Sequence, residues 1–479
     1  MPVVLGIDLG TTTITALALD ADSGAVLACR TAANQAEVTP AADRARGRRE
    51  WDVRRIAAAG FDCLRGVAEQ LGDRRREVAG VGITGQQHGV VVVDTGLSPE
   101  TPFVNWQDRR GDEIDPKTGE TFVRRANAQV GEDAARRAGC RLATGYLAVT
   151  LFWMKETGSL PPTGTACFVM DYFGATLTGG PPVTDPTCAA SAGVFDVGGG
   201  AWDAAMIEAL GLPRALFPEV RRSGDSLGGL TAEAAARTGL PEGLPVFVGI
   251  GDNQASFLGS VARRDDTVLV NVGTGGQVTA FTDAFRYDPR LETRPFPRGG
   301  FLLVAAGLCG GGSYAVLERF FRAAGDQLFG ARPAEDLYPL LNRLAATVPR
   351  GAGGLRCEPY FTGSRAQPGV RASLTGASAE NFTPGHLARA LLEGMARSLV
   401  DGYEVITKLG PPCRRLAGAG NGLRANPVLA EAVAEEFGLP LAFPRHREEA
   451  AFGAALLAAV GAGVYPDLTS AGRLIRYEE

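Results

Sequence analysis

Residues 3–20 read VVLGIDLGTTTITALALD: two apolar, β-rich arms around a Gly-Thr-Thr-Thr turn, with a carboxylate, Asp8, inside the first arm. The alternation and the Val, Ile and Leu content predict a strand, a tight turn and a second strand. A hairpin needs one or two turn residues. It does not need three hydroxyls, two glycines and an acid at one point. The pattern returns at 267–281, TVLVNVGTGGQVTAF, again with a Gly/Thr turn between β-rich arms. The two halves show no strong identity, so this is a duplication of pattern only. Any fold for this chain has to place two such hairpins.

The rest of the chain alternates strands and helices. Strands are predicted at 25–31, 78–84, 89–94 and 245–251, and helices at 53–72, 131–139, around 203–210, and at 252–262, 313–324, 385–408 and 427–438. The proline-bearing stretch LPEGLPVFVGIG (240–251) separates the hairpins. It sets a first domain at 1–246 and a second at 247–462, with a tail, 463–479, that can pack back on the first. The fold class is α/β. The apolar run AAFGAALLAAVGAGV (450–464) is shorter than a membrane span and reads as a tightly packed helix.

With 479 residues and a net charge of −5, the chain has room for two or three cored domains and no overall basic character. The clusters RARGRR (44–49) and RRR (74–76) are bordered by acids and read as solvated surface, so no nucleic-acid partner is expected. The eight cysteines are scattered without C-x-x-C, which fits reduced thiols, and the three histidines are too dispersed for a His-based metal site. A strand begins at once, so no signal peptide is expected, and the chain is placed in the cytoplasm.

Four motifs carry chemistry, each with a plainer alternative. A Gly/Thr turn presents N–H groups and hydroxyls that can cradle phosphate oxygens; alone it could be an ordinary hairpin turn. Two opposed turns make a phosphate clamp, and Asp8 could hold Mg²⁺ through water. In GIGDNQASFLGS (249–260), Asp252 stands at a strand end ahead of a helix, where a carboxylate can accept the proton of an attacking hydroxyl or serve as a helix cap. In AGAGNGLRANP (417–427) a Gly-rich turn could admit an adenine or a phosphate, or be a simple turn. Leu423 stands where a dinucleotide fingerprint needs its third glycine, which counts against a nicotinamide oxidoreductase, and no P-loop occurs. Finally, Gln87, His88, Trp106, Asp108 and Arg110 form a polar and aromatic set suited to a polyol, which needs dense hydrogen bonding and a flat apolar wall.

Taken in order, GIDLGTTT, GITGQQHG, WQDRR, MDYFGATLTG, GIGDNQASFLG, NVGTGGQ, GAGNGLRANP and EEAAFGAALLAA resemble the FGGY carbohydrate kinase family over nearly the whole chain. The resemblance implies two RNase H-like, actin-like ATPase domains flanking a nucleotide cleft that binds ATP and Mg²⁺. It implies Asp8 as the metal-associated acid and Asp252 as the catalytic base. Thr11, Thr12, Thr13, Gly273, Thr274 and Gly311 would lie on the phosphate side, and Gly418, Gly420 and Asn426 on the adenosine side. Gln87, His88, Trp106, Asp108, Arg110 and Asp252 would meet the sugar. The partner is a small-molecule ketose, with no nucleic acid and no membrane, and a homodimer is left open. Within the family, GQQHG, WQD, LAAGLCGGGSYAVLERFF (304–321), EPYFTGSRAQPGVRASLTG (358–376) and CRLATGYLAVTLFWMKE (140–156) are most similar to sedoheptulokinases. That implies sedoheptulose phosphorylated to the 7-phosphate or its C1 equivalent. Xylulokinase is the rival, and a non-catalytic sugar- and ATP-binding regulator is the remaining alternative. The chain departs from many relatives at Gln87, where Met is common, at Arg109, where Gly is common, and in the Gly-Ala-Gly-Asn turn.

Overall fold

The computed structural model describes residues 2–478 except 331–335, 362, 364–368 and 411. Positions 362 and 364–368 of the EPYFTGSRAQPGVRASLTG motif therefore lie outside the described residues.

The first hairpin forms as its alternation demands: Val3–Leu9 pairs antiparallel with Thr13–Asp20, which pairs antiparallel with Val26–Ala33. On the other side of Val3–Leu9, Val78–Gly85 runs parallel, followed by Pro245–Phe247, while Ile250–Gly251 also pairs with the end of Val78–Gly85. A parallel neighbour needs a crossover, and the amphipathic helix Val53–Leu71 packs on this sheet to supply it. Asp52 caps that helix by accepting from the Arg54 and Arg55 amides.

The second hairpin repeats the plan. Thr267–Val272 pairs antiparallel with Gly276–Thr282, which pairs with Phe301–Leu308, and Arg415–Ala419 then runs parallel to Thr267–Val272, with Leu441–Ala442 beyond it. The strand order of the two sheets corresponds from hairpin to parallel edge. The duplicated pattern in the sequence is thus a duplicated topology.

Two helices lie between the sheets. Asp252–Ser260 follows the last strand of the first sheet, and Glu449–Gly461 follows the last strand of the second. They cross in intimate contact, and Glu449–Gly461 packs directly on Val3–Leu9 and Val78–Gly85. The approach needs bare backbone: a Cβ at Gly6 or Gly82 would overlap the carbonyl oxygen of Ala451 or Ala454. One apolar cluster therefore joins Val4, Leu17 and Leu19 of the first sheet, both helices, and Leu269, Leu302, Val304 and Ala417 of the second. The chain end closes over the same seam, with Tyr465 Oη donating to the Ala21 carbonyl and Tyr477 Oη to the Ser260 carbonyl. Among the described residues, no helix is long and apolar enough to cross a membrane.

Candidate active site

Both Gly/Thr turns lie exposed at the ends of their hairpins. Asn34 pins the first from behind: its Nδ2 donates to the Gly10 carbonyl at 2.9 Å, and its amide donates to the Thr12 carbonyl at 2.8 Å. Thr11 Oγ1 donates to Gln86 and accepts from Trp106 Nε1 at 3.0 Å, which brings the half-exposed indole of Trp106 against the first Gly/Thr turn. Thr12 and Thr13 stay exposed. The second turn rests on the start of the helix Gly311–Phe329: the Gly311 amide donates to the Gly273 carbonyl and the Gly312 amide to the Thr274 carbonyl. Gly311 thus spends its N–H on holding the turn rather than offering it to a phosphate.

Asp252 opens its helix directly after Gly251 and accepts from the Asn253 amide. Asn253 Nδ2 reaches Gln277 on the second hairpin at 2.8 Å, so the acid is tied to both halves of the molecule. Burial pushes its carboxyl up to about 6, against the opposing pull of the Asn253 N–H and the Arg294 charge. A carboxylate poised there suits a proton acceptor at neutral pH.

Asp8 sits at the end of Val3–Leu9, with Oδ1 shut off from solvent and without a hydrogen-bond partner. Its carboxyl is pushed up to about 8, by burial first and then by the negative charges of Asp252 and Glu448. A buried, orphaned oxygen facing further acids is a donor set that a divalent cation would relieve. Among the described residues, no three His, Cys, Asp or Glu side chains form a closed metal cluster.

The sugar-side candidates divide into two groups. Gln87 and His88 sit in a turn beyond Val78–Gly85. Gln87 Nε2 donates to the Thr187 carbonyl, and its Oε1 accepts from Arg294 Nη1, both at 3.0 Å. A Cβ at Gly251 would overlap the Gln87 amide, so this turn lies directly against the residue before Asp252. His88 has a left-handed backbone (φ 74°), rare for a non-glycine residue. Its imidazole stacks on Tyr146 at 4.3 Å between centroids. Nδ1 faces the Ser191 carbonyl at 2.9 Å, which makes Nδ1 the protonated nitrogen and leaves Nε2 as an acceptor toward Arg294. Asp108 and Arg110 form the second group. They are buried and paired with each other, and Arg110 also reaches Glu50 at 2.7 Å, while Asp108 accepts from the Arg49 amide. The Arg110 guanidinium lies over the Trp153 ring at 4.9 Å.

Of the candidates for the adenosine side, Gly420 stands beside the second Gly/Thr turn, where a Cβ would crowd Asn271 Oδ1 and the Val272 carbonyl. Gly418 lies inside the strand Arg415–Ala419, covered by Phe443 and Leu441, and Asn426 caps the helix Pro427–Phe437 by accepting from the Leu429 amide. Glu448, Tyr146, Glu292 and Arg294 were not singled out from the sequence. Glu448 lies at the head of the quoted EEAAFGAALLAA, but only the fold shows it near Asp8.

Two family models match in tandem. "FGGY family of carbohydrate kinases, N-terminal domain" covers residues 3–259, and "FGGY family of carbohydrate kinases, C-terminal domain" covers 270–462. The chain belongs to the FGGY family of carbohydrate kinases. It is therefore a phosphotransferase acting on a small sugar or polyol, in a family that uses ATP. Among its relatives, sedoheptulokinase of Homo sapiens is 32% identical, covering 95% of this chain and 97% of that protein. Xylulose kinase of Lactococcus lactis is 26% identical, covering 100% and 92%. Among solved structures, xylulose kinase from Rhodospirillum rubrum superposes with a TM-score of 0.87 at 27% identity, covering 100% of this chain and 93% of that one. These FGGY neighbours share the two-domain, actin-like ATPase architecture described above.

Proposed function

We propose that this FGGY kinase transfers the γ-phosphoryl group of ATP to a primary hydroxyl of a ketose, with sedoheptulose as its substrate. The observation that carries the reading is the placement of Asp252. It lies at the junction of both sheets, one residue from the glycine packed on the Gln87–His88 turn, and in electrostatic reach of Asp8. The sugar enters between Trp106, His88 and Asp252. Asp252 accepts the hydroxyl proton as the oxygen attacks phosphorus in line. The N–H groups and hydroxyls at Thr11, Thr12, Thr13, Gly273 and Thr274 stabilise the phosphoryl oxygens. Gly420 and its turn border the nucleotide. Asp8 would hold Mg²⁺, which when bound neutralises charge on the phosphates. Closure of the cleft excludes water and limits futile hydrolysis.

Sedoheptulose is favoured because two sedoheptulokinases, at 32% and 30% identity over 95% of the chain, stand above the xylulose kinases at 26% and 24%. ADP release with sedoheptulose, xylulose, ribulose and glycerol tests this. The highest kcat/KM is expected for sedoheptulose, with phosphate at C7 or C1. A higher value for xylulose would replace the substrate. Binding of sugar and ATP without ADP release would make the chain a regulator.

A further inference from the structure

Arg294 lies on the strand Glu292–Pro295 at the edge of the second sheet, and its side chain is buried. It crosses to the first half of the molecule. Nη1 donates to Gln87 Oε1 at 3.0 Å, and Nη2 approaches His88 Nε2 at 3.4 Å. Glu292 neutralises it from the same strand, with Nε donating to Oε2 at 2.7 Å and Nη2 reaching the same oxygen. Glu292 in turn faces Tyr146 Oη at 3.5 Å, and Tyr146 stacks on the His88 ring. The network closes on itself: Arg294, His88, Tyr146 and Glu292 link three chain segments, and Gln87 is held at both ends of its amide.

The chemistry of this network is directional. A guanidinium is a rigid fork without an acceptor, so Arg294 can meet only the unprotonated nitrogen of His88. The Ser191 carbonyl at Nδ1 requires the same tautomer. His88 is also held in a left-handed backbone that a non-glycine residue does not keep unaided. Ser191, in the same half, holds it through the His88 amide and Nδ1, and Arg294 adds the contact that reaches the turn from the opposite half of the chain.

We infer that Arg294 is a positioning residue for the sugar: from the second sheet it locks the Gln87–His88 turn of the first sheet into the geometry that receives the substrate beside Asp252. The assignment rests on the reading of the cleft as a ketose site. It makes sugar affinity depend on correct docking of the two halves, while the ATP turns, which have their own supports at Asn34 and Gly311, do not depend on it.

The test compares wild type with Arg294→Met, Arg294→Lys and Glu292→Gln, using steady-state kinetics on the preferred ketose and on ATP, and a thermal melt for each protein. Loss of charge-assisted hydrogen bonds predicts a KM for the ketose raised roughly ten- to a hundredfold in Arg294→Met, with the KM for ATP within about twofold of wild type. Arg294→Lys recovers little of the ketose KM, because an ammonium cannot bridge Gln87 and His88 together. Glu292→Gln gives an intermediate ketose KM. If Arg294→Met does not fold, Arg294→Lys and Glu292→Gln carry the test. An unchanged ketose KM in the folded variants overturns the role of Arg294 and leaves the kinase reading standing. Equal rises in the KM for ketose and ATP would mark Arg294 as a general structural prop and overturn the assignment. A wild-type protein that neither binds nor phosphorylates any ketose of the panel overturns the substrate reading itself, and the assignment with it.

Discussion

At the scale of single residues, the cleft brings acids together in surroundings that disfavour charge. Asp252 is held near 6 by burial, with Arg294 and the Asn253 amide limiting the rise. A base works only when deprotonated, so kcat/KM is expected to fall as pH drops through about 6, with unit slope in a pH–rate profile. Asp252→Asn removes the proton acceptor while keeping shape. It should lower kcat by about 10²- to 10⁴-fold and leave sugar affinity by calorimetry within a few-fold. Turnover near wild type would sink the base assignment. Asp8 is raised in the same direction and further, because its acidic neighbours add to burial instead of limiting it. Its folded carboxyl is raised to about 8 from an ordinary 3.8, so metal-free protein loses stability as pH rises from about 4 toward 8. Asp8→Asn should therefore raise the melting temperature of the metal-free protein at pH 7.5. It should also abolish any gain in melting temperature on adding Mg²⁺, and raise the Mg²⁺ needed for turnover. An Mg²⁺-dependent thermal shift as large in Asp8→Asn as in wild type would count against Asp8 as the ion's holder.

At the scale of elements, what was legible in the sequence had a local cause. The two hairpins, the Asp8 and Asp252 positions and most helices follow from periodicity and turn chemistry, which act over a few residues. Asn426 carried a second local signal that the sequence reading did not use: Asn followed by Pro427 is a helix start, with Asn at the cap and Pro at the first turn. Asp108 stands two residues before Arg110, which opens a short 3-10 segment, and the two pair with each other, which no spacing rule separates from ligand binding. Tyr146, Glu292 and Arg294 were invisible because their roles exist only where distant segments meet. His446 shows the same dependence. It lies where the loop before Glu449–Gly461 meets the end of Asp252–Ser260, with Nε2 at 2.8 Å from the Gly259 carbonyl and its ring stacked on Phe452. Burial, aided by Arg424, pushes its pKa down from 6.5 to about 4. Between those values the unfolded chain binds the proton more readily, so this contribution to stability is complete above pH 6.5 and is lost as pH falls toward 4. The loss amounts to as much as about 3 kcal/mol. Urea melts at pH 7 and pH 5 should show about 2 kcal/mol of that loss, and His446→Gln should flatten it. An equal pH dependence in the variant would assign the effect to other groups.

At the scale of the whole molecule, the two sheets are not independent bodies joined by a linker. The chain of the second half lends Glu449–Gly461 to the face of the first sheet, while Asp252–Ser260, which follows the first sheet, packs against that helix and against Arg415–Ala419 of the second. The apolar cluster between them contains side chains from both sheets, and its tightest contacts, at Gly6, Gly82 and Gly453, are backbone against backbone. Close-packed backbone is costly to loosen gradually, because a gap of about 0.5–1 Å already forfeits roughly a quarter to a half of each contact's energy. The candidate active site inherits this architecture: Asn253 with Gln277, and Arg294 with Gln87, bridge the halves at the cleft just as the helices bridge them below it. Hinge motion that opens the cleft must therefore pivot on the helix pair without parting it, and the halves should not unfold separately. Calorimetry should show one transition, with the van't Hoff and calorimetric enthalpies in agreement, as for a single cooperative unit. Sugar and nucleotide added together should move that whole transition upward, because ligands that bind only the folded state stabilise everything unfolding with it. Two resolved transitions, with ligand shifting only one, would show that the interleaved helices do not couple the halves, and that the cleft is formed by two separately stable bodies.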